Sequence, residues 1–275
     1  MVLSPALSIK RSEVVVPPVV LGDTKLKTRL ALVVEYDGEC YAGSQWQPEV
    51  LTIQSEIEKA LYKLTGESAR VTMAGRTDAG VHAAGQVVAF DTESSLEERA
   101  FVSGLNHFLP LDIAVKSARR MSLAFDPRRH ASKREYEYFI LNSATRSPLW
   151  NGRAHRIAGE LNIDAMNHAC QLLIGEHDFA SFTSNTEDEE RTTVRYMYHA
   201  SARRDGRMVI VRMMASAFLL HQVRNTVGTL LRVGQGKMTL QEFQSIINTC
   251  EFGLAGPAVP SYGLYLKSVY YEEGF

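Results

Sequence analysis

Between Arg29 and Met121 the hydrophobic pattern changes period in one fixed order: strand, helix, strand, strand, helix, strand. The run RLALVVEYDG reads as a strand closed by a turn signal. TIQSEIEKALYKLTGE places Ile53, Ile57, Ala60, Leu61 and Leu64 on one helical face, with Thr52 as N-cap and Gly66 as the stop. ARVTMAG and GQVVAFDTE alternate as strands, SLEERAFVSGLNHFL opens a second helix with a Ser95 to Glu98 capping box, and DIAVKSARRM returns as a strand. This order predicts the split βαβ arrangement of ferredoxin-like folds.

The second half repeats the rhythm with insertions. REYEYFILN is a strand, NIDAMNHACQLLIG a helix, and TVRYMYHASARRDGRMVIVRMMAS a pair of strands about the hairpin signal Asp205-Gly206. FLLHQVRNTVGTLLRVGQG and LQEFQSIINTC read as helices and YGLYLKSVYY as a closing strand. The expected class is α+β: two ferredoxin-like halves sharing a central, mainly antiparallel sheet, although no sequence repeat is visible between them. The boundary falls near Ser122, giving an extension over residues 1–27, one domain over 28–122 and another over 123–275. A site in a cleft between the halves is the expectation.

Composition narrows the function classes. Hydrophobic residues make up 45% of 275, enough for real cores, and 30 Lys and Arg against 31 Asp and Glu give no global sign of a polyanion partner. Any nucleic-acid surface must therefore be a local basic patch. Cys40, Cys170 and Cys250 are odd in number, far apart and without a C-x-x-C pair, as expected of thiols in a reducing cytoplasm. Pro17 and Pro18 interrupt the apolar start, and His221, Arg224 and Arg232 make the most apolar segment, AFLLHQVRNTVGTLLRV, an amphipathic helix instead of a membrane span. VGQGKMT fails as a phosphate loop because Leu231 and Met238 stand where glycine and a hydroxyl residue belong. His168 with Cys170, and His177 with Asp178, lack the ligand number and spacing of a zinc site, so no metal and no cofactor is expected. The acidic run at Asn185 to Glu190 reads as a solvated loop.

Three features ask for chemistry. MAGRTDAGVHAAGQ sets Asp78 between Arg76 and a glycine; TDAG alone suits a turn, and an arginine two residues away suits either an ionised carboxylate or phosphate. Arg119, Arg120, Arg128, Arg129, Lys133 and Arg134 cluster about the domain boundary, followed by Tyr136 and Tyr138 on one face of a strand, which suits phosphate contact beside base stacking, or a solvated surface beside a core. In FLLHQVRN, Arg224 and His221 lie on a helix otherwise lined by Phe218, Leu219, Val223 and Val227. A cation bordering an apolar face needs a partner, and Asp78 is a candidate.

Taken together, GRTDAGVHA, FDPRRHASKREYEYFI and FLLHQVRNTVG resemble successive signatures of the TruA-type tRNA pseudouridine synthases. YDGECYAGSQWQPEVLTIQSEIEKAL, GEHDFASF and PSYGLYLKSVYY resemble further segments of that family, so the likeness runs from about Leu30 to Tyr271. It implies that Asp78 is the catalytic aspartate, Arg224 its ion-pair partner and Tyr136 the tyrosine packed on the target base. Arg76 resembles the arginine that enters the RNA as the base leaves its stack; His82, Gly75, Gly80 and Gly85 match the same loop, and Arg128 the arginine ahead of the tyrosine strand. With Arg129, Lys133 and Arg134, the residues Arg76, His82 and Arg128 form the expected RNA-binding set. Ser44 and Leu220 depart from the family pattern, neither being one of the three catalytic positions.

The implied reaction is cofactor-free isomerisation of uridine to pseudouridine at positions 38, 39 and 40 of the tRNA anticodon stem-loop. A flipped nucleotide, a homodimer with tRNA across both subunits and a cytoplasmic location are further implications. The alternatives are a related synthase with other target uridines and a catalytically silent RNA-binding module.

Overall fold

In the computed structural model, which describes residues 26–183 and 192–272, one large sheet of ten strands carries the chain, and five α-helices pack against it. Most of the N-terminal extension and the acidic run at Asn185 to Glu190 lie outside the described residues. The first half contains β1 (Thr28–Tyr36), α1 (Ile53–Thr65), β2 (Thr72–Met73), β3 (His82–Thr92), α2 (Glu98–Phe108) and β4 (Ile113–Met121). The second contains β5 (Ala131–Asn142), β6 (His155–Ile157), α3 (Ile163–Gln171), β7 (Gly175–Asp178), β8 (Val194–Asp205), β9 (Met208–Ala215), α4 (Gln222–Gly234), α5 (Leu240–Thr249) and β10 (Leu264–Tyr271).

The strand order is β4-β1-β3-β10-β5-β9-β8-β7, with β2 on β3 and β6 on β5. Pairing is antiparallel except at β5 with β6 and at the junction of the halves, where β10 runs parallel to β3 through Tyr265 opposite His82 and Leu266 opposite Ala83. The seam decides where the site forms. β3 carries β10 along its first residues and β2 farther on, where Thr72 and Met73 oppose Ala89 and Val88. The loop from 74 to 81 emerges between those two partners. Gly85 lets the strands close, since a Cβ there would stand 2.7 Å from the Lys267 carbonyl oxygen.

Alternation along β1 explains the layering. Leu30, Leu32 and Val34 join a continuous apolar core with Ile53, Ile57 and Leu61 of α1, while Ala31 points to the other face and packs with Ala89 and Phe125. The same core continues into the second half through Tyr138, Ile140, Val211, Val227 and Phe243. α4 is its most buried helix, and two of its interior polar groups find carbonyl partners: Asn225 donates to the Phe182 carbonyl and Thr229 to that of Ala255, at 2.8 and 2.7 Å.

Several local expectations hold. Thr52 caps α1 in a reciprocal box with Ser55, Gly66 ends it with φ +74°, and β8 and β9 form the hairpin around Gly206. Others need correction. The Ser95 to Glu98 capping box does not form: α2 begins at Glu98, and the Glu98 carboxylate instead accepts the Arg120 backbone N–H at 2.6 Å, tying helix to strand. The ARVTMAG strand shrinks to two residues because β3 offers that part of its edge only briefly. β3 starts at His82, three residues ahead of the expected Gly85, so His82 leaves the loop and enters the sheet. α4 starts at Gln222, which puts Phe218, Leu219 and His221 ahead of the helix.

Candidate active site

The loop from 74 to 81 is held before it reaches Asp78. Gln86, fully buried, donates to the Gly75 carbonyl at 2.7 Å and accepts its N–H at 3.3 Å. Ser44, also fully buried, accepts the Thr77 N–H at 2.8 Å while its own N–H donates to the Thr77 carbonyl at 3.0 Å. The Thr77 hydroxyl shares a hydrogen bond of 2.8 Å with the buried Tyr36 hydroxyl. Asp78 then opens a turn closed by its carbonyl and the Val81 N–H at 3.2 Å, with Gly80 at φ +76° in the third position, as a type II turn requires. Asp78 is thus both a turn residue and a residue in the cleft.

Two side chains from far along the chain meet its carboxylate. Arg224 Nη1 donates to Asp78 Oδ2 at 2.9 Å, and His221 Nε2 lies 3.5 Å from the same oxygen. Oδ1 has no protein partner among the described residues. Asp78 also faces the first turn of α4, whose dipole favours an anion. The Asp78 side chain is one-third exposed and that of Arg224 18% exposed, so the acid faces an opening while its partner stays covered. Tyr136 rises from β5 on the same side, buried, with Phe218 edge-on to its ring at 5.1 Å. Burial pushes its phenol well above the ordinary value, so it is un-ionised at neutral pH.

These groups border a cleft of about 410 Å³. Asp78 is the only carboxylate among its described lining residues, against five guanidinium groups, those of Arg76, Arg128, Arg134, Arg195 and Arg224. A neutral chain therefore concentrates positive charge at one opening.

The expected basic face is only partly assembled. Arg128 and Arg134 line the cleft. Arg134 is a clip: its Nη1 donates to the carbonyls of Ala131 and Ser216, and its Nη2 reaches those of Ala74 and Arg128. Lys133, the neighbour on the strand, points to the opposite face and covers the Tyr198 ring at 4.6 Å. Arg129 is exposed beside Asp126, and Arg120 anchors Thr28 and the 94–96 turn. His82 is 2% exposed, with Nε2 against the carbonyls of Gly152 and Tyr262 and Nδ1 accepting the Gly38 N–H. Its ring thus ties the start of β3 to the Gly38, Gly152 and Tyr262 backbone.

Sequence reasoning passed over three participants. Ser44 departs from the family pattern yet bonds the residue next to Asp78. His221 was seen only as a neighbour of Arg224. Arg195 was not singled out, although an arginine between Val194 and Tyr196 on an alternating strand turns its charge toward the core side, a legible signal. Its Nη1 donates to the carbonyls of Thr192 and Val194, and burial lowers its pKa, with no carboxylate in ion-pair range among the described residues.

Comparison with known proteins agrees with this geometry. The family model described as tRNA pseudouridine synthase matches residues 32–128 and 169–272. A tRNA pseudouridine synthase A of Geobacter sulfurreducens is 44% identical over 240 residues, covering 87% of this chain and 98% of the relative. One of Geotalea daltonii is 41% identical over 242 residues, covering 88% and 99%. Among solved structures, a chain of an H/ACA RNP bound to a substrate RNA containing 2′-deoxyuridine aligns with a TM-score of 0.35 at 14% identity, over 74% of this chain and 44% of that one, too weak a likeness to inform the fold.

Proposed function

The chain belongs to the tRNA pseudouridine synthase family, and we propose that it isomerises uridine to pseudouridine in the anticodon stem-loop of tRNA, at positions 38, 39 and 40, with Asp78 as the catalytic carboxylate. The observation that carries this reading is the 2.9 Å contact of Arg224 with Asp78 in a cleft whose other charged lining side chains, among the described residues, are arginines. A surface that only bound RNA would gain nothing from a carboxylate facing a phosphate-rich ligand.

The reaction breaks the bond from ribose C1′ to uracil N1 and makes one from C1′ to C5. Asp78 serves either by adding to C1′, the electron pair of the broken bond leaving on N1, or by removing the C2′ proton. Both routes need an ionised carboxylate, and with Arg224 on Oδ2 both leave Oδ1 as the reacting oxygen. After the uracil turns, C5 bonds to C1′ as the Asp78–C1′ bond breaks or, on the second route, as C2′ regains its proton; the C5 proton passes to solvent and N1 takes one up. Tyr136 supplies the face on which the detached base rests, and being un-ionised it passes a proton only by giving up its own. The target nucleotide must leave its stack, at a cost of a few kcal/mol that phosphate contacts and an inserted Arg76 offset.

The strand orders β4-β1-β3-β2 and β10-β5-β9-β8, each antiparallel throughout, support two ferredoxin-like halves divided near Ser122. A homodimer would join two such basic clefts into a surface long enough for tRNA, and a cytoplasmic site of action follows from that substrate. Among the described residues no helix is long and apolar enough to cross a membrane.

The test is tritium release from tRNA labelled at uridine C5, comparing the protein with Asp78→Ala. Release by the unmodified protein alone is expected. Tight binding without release by either would replace this reading with a silent RNA-binding module.

A further inference from the structure

His221 has a backbone that its side chain does not favour. It precedes α4 at φ +58°, in the left-handed region where a Cβ is penalised and glycine is not. Its side chain makes no capping hydrogen bond to the helix, so the usual reward of an N-cap residue is absent. The conformation is imposed by its neighbours. The Leu220 carbonyl accepts the Thr183 hydroxyl at 2.7 Å, and the Leu219 N–H donates to the buried Gln222 side chain at 2.8 Å while Gln222 N–H donates back to the Leu219 carbonyl at 3.2 Å. This strained corner sends the imidazole toward the catalytic carboxylate, with Nε2 3.5 Å from Asp78 Oδ2. Strain held by surrounding bonds and aimed at a reacting group is the pattern of a functional constraint.

We propose that His221 is a positioning residue for the reaction: with Arg224 it gathers Asp78 Oδ2 and so presents Oδ1 to the ribose. The proposal rests on the uridine isomerisation argued above. Arg224 alone fixes one direction of the carboxylate and leaves it free to rotate about that bond; a second donor from another angle removes the rotation. Both donors come from one short stretch, His221 as the residue before α4 and Arg224 in its first turn, so their spacing is set by the helix. No proton needs to leave His221 in this role, because the polar contact of Nε2 with Oδ2 is what limits the rotation.

The decisive variant is His221→Gly, which the backbone should welcome and the chemistry should not. Expected are an unchanged or higher melting temperature, tRNA affinity within about twofold, and a turnover number at least tenfold lower with KM little changed. Added imidazole, or His221→Gln in place of glycine, should restore several-fold of that loss, as a purely structural role would not allow. Turnover within about twofold of the original in His221→Gly, or a loss that neither imidazole nor glutamine recovers, would overturn the proposal. So would a glycine variant that does not fold, since the strain argument requires that it fold. Tritium release by the unmodified protein tests the isomerisation separately: release there with an unaffected glycine variant rejects only the role of His221.

Discussion

Arg224 and Val259 hold each other by both ends of the arginine: its Nε donates to the Val259 carbonyl at 2.8 Å, and the Val259 N–H donates to the Arg224 carbonyl at 3.3 Å. The guanidinium is therefore fixed before it meets Asp78 through its remaining edge. A lysine could reach the carboxylate or the carbonyl, not both in this geometry. Arg224→Lys is expected to lower turnover about 100-fold with tRNA affinity nearly kept. Single-turnover kinetics at saturating enzyme check this, and a rate within about threefold would remove Arg224 from its assigned role.

Asp78→Asn removes the reacting charge but keeps the shape of the side chain. The loss of turnover should reach at least about 1000-fold, while a filter-binding constant for tRNA moves by no more than about threefold. A comparable loss of both would mean that Asp78 organises the cleft and does no chemistry.

Ser44→Ala leaves the Thr77 N–H without its acceptor in a fully buried place, a cost of about 1–3 kcal/mol. The same change loosens the loop one residue before Asp78, so turnover should fall roughly tenfold beyond what unfolding explains. Urea denaturation and kinetics on one preparation separate the two effects, and normal values for both would show that the Tyr36, Gln86 and backbone contacts hold the loop unaided.

Arg195 lines the cleft, and among the described residues no carboxylate stands within ion-pair distance of it, Asp178 acting on it only from farther off. If an RNA phosphate takes that place, Arg195→Gln should weaken tRNA binding about tenfold and reduce the slope of log affinity against log salt by about one, with Arg195→Lys recovering most of the slope. An unchanged slope in the glutamine variant would assign Arg195 to the Thr192–Val194 corner alone.

Acid stability should depend on Glu135. Burial raises its pKa, but hydrogen bonds from Arg212 and Tyr270 outweigh burial, and the net position is below the ordinary value. A carboxyl lowered in the folded state contributes stability above its unfolded pKa and loses it as pH falls through the folded one. The acid-unfolding limb below about pH 4.5 should therefore flatten in Glu135→Gln, along with a lower stability at neutral pH. An identical acid limb in both proteins would contradict the assignment.

What could be read without coordinates was mostly local. Thr52 and Gly66 bound α1 because cap chemistry lies within a few residues, and Asp205-Gly206 makes its hairpin for the same reason. Glu98 misled because its carboxylate had a distant competitor, the Arg120 N–H, that beat the cap. His82 joins the sheet because β10 pairs with it there, Tyr265 opposite His82, and the Tyr262 carbonyl just ahead of β10, 180 residues away along the chain, meets its ring. Asp78, Tyr136 and Arg224, singled out by motif, do line one cleft, whereas the Ser44 contact with Thr77, 33 residues apart, is one that spacing does not encode.

The seam at which β3 passes from β2 to β10 has a consequence for biosynthesis. Asp78 belongs to the segment made first and Arg224 lies 146 residues later, so the pair exists only after β10, near the end of the chain, has docked beside β3. A nascent or half-folded molecule holds the acid without the arginine that meets it in the finished fold. The paired geometry of the cleft thus arrives only with completed assembly.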